Sequence, residues 1–122
     1  MTLKFRAWLI KEKKMVGVSD LLLAGGGIIQ TSCEDSDYDG LSKVVGRDCV
    51  LMQSTGMKDV HGKEIYEGDV VKGIDYSSMR PYYVEKVEYW GDSGVYSVHE
   101  LEDLEVLGNV YDNPELSKQI NG

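Results

Sequence analysis

Little in this chain suits covalent or metal chemistry. Its 122 residues include two cysteines, Cys33 and Cys49, and two histidines, His61 and His99. Two cysteines cannot make a disulfide framework, and no Cys-x-x-Cys pair supplies half of a zinc site. Cys49, beside Val50 and Leu51, reads as small apolar packing, and Cys33 as a loop position. His61 falls in a hairpin turn and His99 at a strand end, with no shared spacing that would hold a metal. There is no Gly-x-Ser-x-Gly elbow and no His-Glu-x-x-His, and Gly25-Gly26-Gly27 is not followed by a phosphate-binding Gly-Lys-Ser. Together these absences point away from an enzyme and from any bound cofactor. No apolar run approaches the roughly 20 residues of a membrane span. The start, MTLKFRAWLIKEKK, is charged too early for a secretory signal. The expectation is a cytoplasmic protein that does not enter the membrane.

The composition is that of a globular domain: 42% apolar and 28% charged residues, with enough length to bury a core. Charge is unevenly placed. Residues 1–15 carry five Lys or Arg against one Glu, a balance of +4; the rest carry eight against twenty, a balance of −12, giving the net −8. An acidic body repels phosphate backbones, which makes nucleic acid an unfavoured partner. The basic start reads as lysines that solvate an edge strand and discourage edge-to-edge pairing.

Alternation of apolar and polar residues dominates the chain. Leu3, Phe5, Ala7 and Leu9 alternate with Lys4, Arg6, Trp8 and Ile10, the period of a half-buried strand. Met15–Val18 returns as a short partner, Leu21–Ala24 fits helix or strand, and Ile28–Thr31 reads as a strand. Residues 32–48 form a polar insertion. Leu51-Met52-Gln53 is an apolar segment stopped by Ser54-Thr55-Gly56. Lys58-Asp59 and His61-Gly62 are turn pairs, Ile65-Tyr66 is a short strand, and Glu67-Gly68-Asp69 is a tight turn into Val70-Val71. Asp75 to Pro81 is a loop, and Tyr82 to Trp90 is the longest β stretch. Gly91–Gly94 is a hairpin turn before a returning strand, Val95–Val98. His99–Asp103 makes one helical turn, and Leu104, Val106, Gly108 and Val110 alternate as a last strand. Asn113-Pro114-Glu115 starts a helix, with Asn as N-cap, Pro in the first turn and Glu against the dipole; the helix runs to Ile120.

Two constellations could carry function. Asp35-Ser36-Asp37-Tyr38-Asp39-Gly40 reproduces the first half of a calcium loop, in which Asp35, Asp37 and Asp39 converge and Gly40 makes the sharp turn. The twelfth position, normally a bidentate Glu, is Gly46, so a solvated acidic loop competes with a metal site. The second constellation is aromatic: Tyr76, Tyr82, Tyr83, Tyr89, Trp90 and Tyr96. Alternation sends about half of such a set inward. Tyr76, Tyr82 and Trp90, in or near loops, are the exposed candidates, and Met79-Arg80 adds a soft contact and a charge. A groove lined this way takes extended peptides or stacks on unpaired bases.

The run Leu51 to Lys72, LMQSTGMKDVHGKEIYEGDVVK, resembles the YopX proteins, small proteins of phages and prophages of Gram-positive bacteria. The resemblance continues in Lys4-Phe5-Arg6-Ala7-Trp8 with Lys13-Lys14-Met15, in Val87-Glu88-Tyr89-Trp90, and in Leu104 to Leu116. It is thinnest over residues 17–48, and Ser54 stands where an aromatic commonly follows the Leu-Met-Gln step. The resemblance implies a mainly β fold: an SH3-like barrel with an N-terminal β extension and a short C-terminal helix, and no established activity. The domain expected is single, with residues 1–48 as N-terminal strands and polar insertion and 49–122 as barrel core and helix. The function expected is a non-catalytic module that binds a host or phage protein. The alternative is a nucleic-acid-associated barrel, and the third reading a calcium-binding or enzymatic protein. Barrel edges and the apolar Leu21–Ala24 run are also compatible with a homo-oligomer.

Overall fold

A computed structural model describes residues 4–24, 27–33, 42–90 and 94–116; the side chains of Asp20, Leu23, residues 27–31, Cys33, Ser42 and Trp90 lie outside that description. The described chain is mainly β, with all named strand pairs antiparallel. Its internal contacts divide it into two compact units, residues 1–53 and 54–122. Among the described residues no helix is long and apolar enough to cross a membrane.

The first unit holds β1 (Phe5–Leu9), β2 (Lys14–Ala24), β3 (Gly27–Cys33), β4 (Ser42–Val44) and the first half of β5 (Cys49–Lys58). Strand β1 pairs with β2 on one side and β5 on the other. Ala7 lies opposite Val16, and Leu9 opposite Cys49. Directly opposed residues share a face of the sheet, and these four residues are the buried core of the unit, with Val18 and Val45 packed against them. Cys49 is thus a small apolar core residue, as its neighbours suggested. The Leu21–Ala24 run continues β2 and pairs with β3.

Entry into β5 is fixed by a tight turn. Asp48 N–H donates to Val44 O (2.8 Å), and Asp48 Oδ2 accepts from Val44 N–H (2.9 Å). Arg47 hydrogen-bonds the same carboxylate and, with the Val44 N–H, holds its pKa down to about 2. A second ion pair, Lys43 Nζ to Glu12 Oε2 at 2.8 Å, ties β4 to the β1–β2 turn and keeps the Glu12 carboxyl below its usual range.

The second unit holds the rest of β5, β6 (Glu64–Tyr66), β7 (Asp69–Asp75), β8 (Arg80–Val84), β9 (Tyr89–Trp90), β10 (Val95–Tyr96) and β11 (Leu101–Asn109). Strands order as β11-β7-β8, with β9–β10 a separate hairpin. Central β7 is buried over Asp69–Val71, which fits its uninterrupted Val70-Val71. Ile65, Val71, Val84, Val87, Val98 and Leu104 form the core. Gly73 is required by close approach: a Cβ there would lie 2.9 Å from Leu101 Cβ and 3.0 Å from Leu104 Cδ2, inside any real carbon contact.

Asp59 joins two parts of this unit. It is 8% exposed. Its Oδ1 accepts from His61 N–H and Lys63 N–H (both 2.9 Å), closing its own turn, and its Oδ2 accepts from Val106 N–H of β11 (3.0 Å). Val60 N–H adds a bond to Leu104 O (2.8 Å). Burial raises the Asp59 pKa, but the Val106, Lys63 and His61 amides outweigh it and the net shift is downward.

Three expectations are corrected, and a fourth is described only in part. The strands described do not close into an SH3-like barrel. The links beyond the β11-β7-β8 sheet are isolated bonds, such as Val87 N–H to Asp69 O and Gly68 N–H to Val87 O (2.8 Å each), in place of continuous ladders. Only the start of the expected C-terminal helix is described: Glu115 and Leu116 are helical, Leu116 N–H closes a turn on Asn113 O (3.0 Å), and residues 117–120 lie outside the description. Strand β5 does not stop at Ser54-Thr55-Gly56. Those residues form a bulge, with Gly56 at φ +80° and the Ser54 and Thr55 hydroxyls accepting from Gly56 and Met57 N–H. The long Tyr82–Trp90 strand is two strands, because Val87 turns inward to full burial and its main chain bonds Gly68 and Asp69.

Candidate functional site

The least covered element of the second unit is β8. Among the described residues it pairs only with β7, from Val84 opposite Val71 to Arg80 opposite Asp75. Arg80 through Tyr83 are all exposed and Val84 is buried. Pro81 suits this place, since a residue without N–H is tolerated on an edge strand.

The preceding turn is built on Asp75. Its Oδ1 accepts from Ser77 N–H (2.9 Å), its carbonyl from Met79 N–H (2.7 Å), and Ser78 Oγ from Arg80 N–H (3.3 Å). Met79 closes it at φ +58°. Asp75 and Ser78 are thus spent on the turn's own amides, and Tyr76 and Met79 are 64% and 69% exposed.

Two concavities meet at Tyr82. The first, about 240 Å³, lies between Asp75 and Tyr82 on one wall and Ser97, His99 and Glu100 on the other. The second, about 360 Å³, is lined by Tyr82, Tyr83, Glu85, Lys86, Glu88 and Ser97. Tyr82 and Ser97 belong to both, so the two adjoin beside β8 and are together termed the groove. The far wall is fixed by Ser97, whose N–H donates to Glu88 O (2.9 Å) and whose Oγ accepts from Glu88 N–H (3.0 Å). His99 Nδ1 lies 3.1 Å from Tyr96 O. A carbonyl only accepts, so Nδ1 carries the hydrogen there. Below the wall Tyr96 meets Tyr89 edge to face at 5.1 Å, and burial raises the Tyr96 hydroxyl pKa, with Glu67 adding to the effect.

The lining holds four carboxylates, Asp75, Glu85, Glu88 and Glu100, against one ammonium, Lys86, and the His99 imidazole, whose Nε2 lies 3.4 Å from Glu100 Oε1. Carboxylates beside tyrosine ring faces attract cations by charge and by the ring quadrupole.

Of the residues singled out in the sequence, Tyr76, Arg80 and Tyr82 fall on this turn and strand, and Tyr82 alone lines the groove. Trp90 pairs through its backbone with Val95 in the β9–β10 hairpin, and its side chain lies outside the description. Asp35, Asp37 and Asp39 lie outside the described residues. Among the described residues no group of three His, Cys, Asp or Glu side chains could hold a metal ion. Sequence reasoning missed Ser97, His99 and Glu100, because the segment read as a strand end and a helical turn. It named Tyr83 and Tyr89 only as members of the aromatic cluster, yet they are 43% and 51% exposed.

Fold and groove define a small, mainly β protein with an acid-lined aromatic cleft beside an open strand. The family model for the YopX protein matches residues 4–118, and the chain belongs to that family. It is similar to the crystal structure of protein EF1440 from Enterococcus faecalis, with a TM-score of 0.68 at 25% identity, over 96% of this chain and 99% of that one. No curated protein matches the chain.

Proposed function

We propose that the chain is a non-catalytic protein-interaction module that holds a segment of a host or phage protein, in the bacterial cytoplasm, against strand β8. The observation that carries this reading is the run of four exposed residues on an edge strand, Arg80 to Tyr83, beside a groove centred on Tyr82. Exposed tyrosines supply large contact area at little entropic cost, and a rigid groove wall limits what must be ordered on binding. The carboxylates of the lining weigh against the nucleic-acid alternative, since they repel phosphate.

The test places the photocrosslinker p-benzoylphenylalanine at position 82, with position 60 as control; Val60 is 57% exposed and outside the groove. Irradiation in lysate is expected to give a nuclease-resistant protein adduct from position 82 and none from position 60. Adducts that disappear with nuclease, or equal labelling at both positions, would reject the reading.

A further inference from the structure

The groove also says something about the chemistry of what it takes. Strand β8 is the outer member of β11-β7-β8, so among the described residues its second main-chain edge has no ladder. An extended segment can be added there, hydrogen-bonding by its backbone at about 4.8 Å from β8. Side chains on one face of such a segment recur about every 6.6 Å, at alternate residues. Inward of that path lie two concavities that share Tyr82: the first reaches across β7 to β11 and is lined by Asp75 and Glu100, and the second is lined by Glu85 and Glu88 at the end of β8.

The choice of cation follows from geometry. An arginine can stack its planar guanidinium on a tyrosine ring while its N–H fork reaches a carboxylate, and lysine supplies only a point charge. Tyr82, shared by both concavities and 55% exposed, provides the ring face on the side of the groove. Lys86, the one ammonium of the lining, disfavours a run of adjacent positive charges, so spaced basic residues fit better than a block.

We infer that the groove beside β8 binds an extended peptide segment with arginines at alternate positions, added to the sheet edge and anchored by Tyr82 between the Asp75–Glu100 and Glu85–Glu88 carboxylate pairs. This rests on the protein-interaction reading and specifies its partner: a basic, strand-forming protein segment.

Fluorescence anisotropy with the full chain tests it. The probe is a fluorescein-labelled octapeptide alternating arginine with valine; comparison peptides replace arginine by glutamate, or methylate the backbone nitrogens at alternate residues in each of the two registers. The arginine peptide is expected to bind and the glutamate peptide not. Tyr82→Ala, and separately Glu85→Lys with Glu88→Lys, should each weaken binding by about tenfold or more, as expected for a central aromatic anchor and its charge partners. Glu115→Lys, an exposed change outside the groove, should weaken it less than about twofold, which separates a site from attraction to the net charge. Methylation in one of the two registers should abolish binding. The inference is overturned if the arginine peptide does not bind, if Glu115→Lys acts as strongly as the groove variants, or if neither methylated register matters. A protein adduct from position 82 together with no arginine-peptide binding would keep the interaction reading and discard the basic segment.

Discussion

Removing the Asp59 carboxylate is the sharpest test of how the second unit is held. One side chain accepts three amide hydrogens, from His61, Lys63 and Val106, while only 8% exposed. A hydrogen bond to a charged group contributes about 1.5–3 kcal/mol, and an orphaned buried donor costs about 1–3 kcal/mol. His61 and Lys63 are exposed, so water replaces much of what their amides lose; Val106 is half-buried and its amide is not so easily rescued. Counting the Val106 bond nearly in full and the turn bonds at a fraction gives about 3 kcal/mol for Asp59→Ala. Asp59→Asn is expected to cost about 2 kcal/mol, since its oxygen can still serve the turn while its NH₂ meets the Val106 N–H donor to donor. With a urea slope of about 1–3 kcal/mol/M, the Ala variant should unfold about 1–3 M earlier. Circular dichroism reads the midpoint, and hydrogen exchange at the Val106 amide reads the local loss. A midpoint within error of the parent, with Val106 still protected, would refute the argument. Acid supplies a second check. Because the folded Asp59 pKa lies below its ordinary value, its contribution is complete above the unfolded pKa near 4 and fades as pH falls through the folded one. The stability gap between parent and Asp59→Asn should therefore be constant near neutrality and narrow below about pH 4.

Two further outcomes concern packing. Gly73→Ala should destabilise by about 1–3 kcal/mol through overpacking against Leu101 and Leu104, whereas Gly56→Ala, at φ +80° with nothing within 4 Å of the added carbon, should cost only about 1 kcal/mol of backbone strain; equal urea midpoints for the two would contradict the contact geometry. In a Cys33→Ser background, the fully buried Cys49 thiol should react with a disulfide reagent at the rate of unfolding, and rapid labelling of the native protein would show that the first core is open.

What the sequence made legible is what local patterning encodes. Alternation in Phe5–Leu9 gave a half-buried strand, and the Gly68 turn into Val70-Val71 gave the start of another, β7. Errors arose where side chains act on main chain at a distance. Ser54, Thr55 and Gly56 are turn formers by type, yet here their hydroxyls and the positive φ make a bulge within β5, and Thr55 Oγ1 donates across it to Ile65 O (2.7 Å). Tyr82–Trp90 alternates like one strand, but Val87 is claimed by the core and divides it. The barrel was inferred from family resemblance, and no local signal states whether strands that neighbour one another form a ladder or only single bonds. At the site, tyrosine content marked Tyr82 but not its place on an edge, because edges are set by the pairing of β7 with β11 and β8. Ser97 and Glu100 have no signal of their own: they reach the groove through the turns after β10, closed by His99 N–H to Tyr96 O and Leu101 N–H to Val98 O.

The composition of that edge bears on why it stays available. An exposed strand with two adjacent tyrosines invites pairing with a second copy of itself, and proteins usually blunt such edges with lysine, proline or a bulge. Here Pro81 removes one donor, and charge is a second device: Glu85 and Glu88, exposed just after the strand, add like charge where two copies would meet edge to edge. Like charges brought together are repelled most where water is excluded. The same carboxylates that oppose self-pairing attract a basic strand, so one set of residues rejects the commonest wrong partner and selects the sign of the right one.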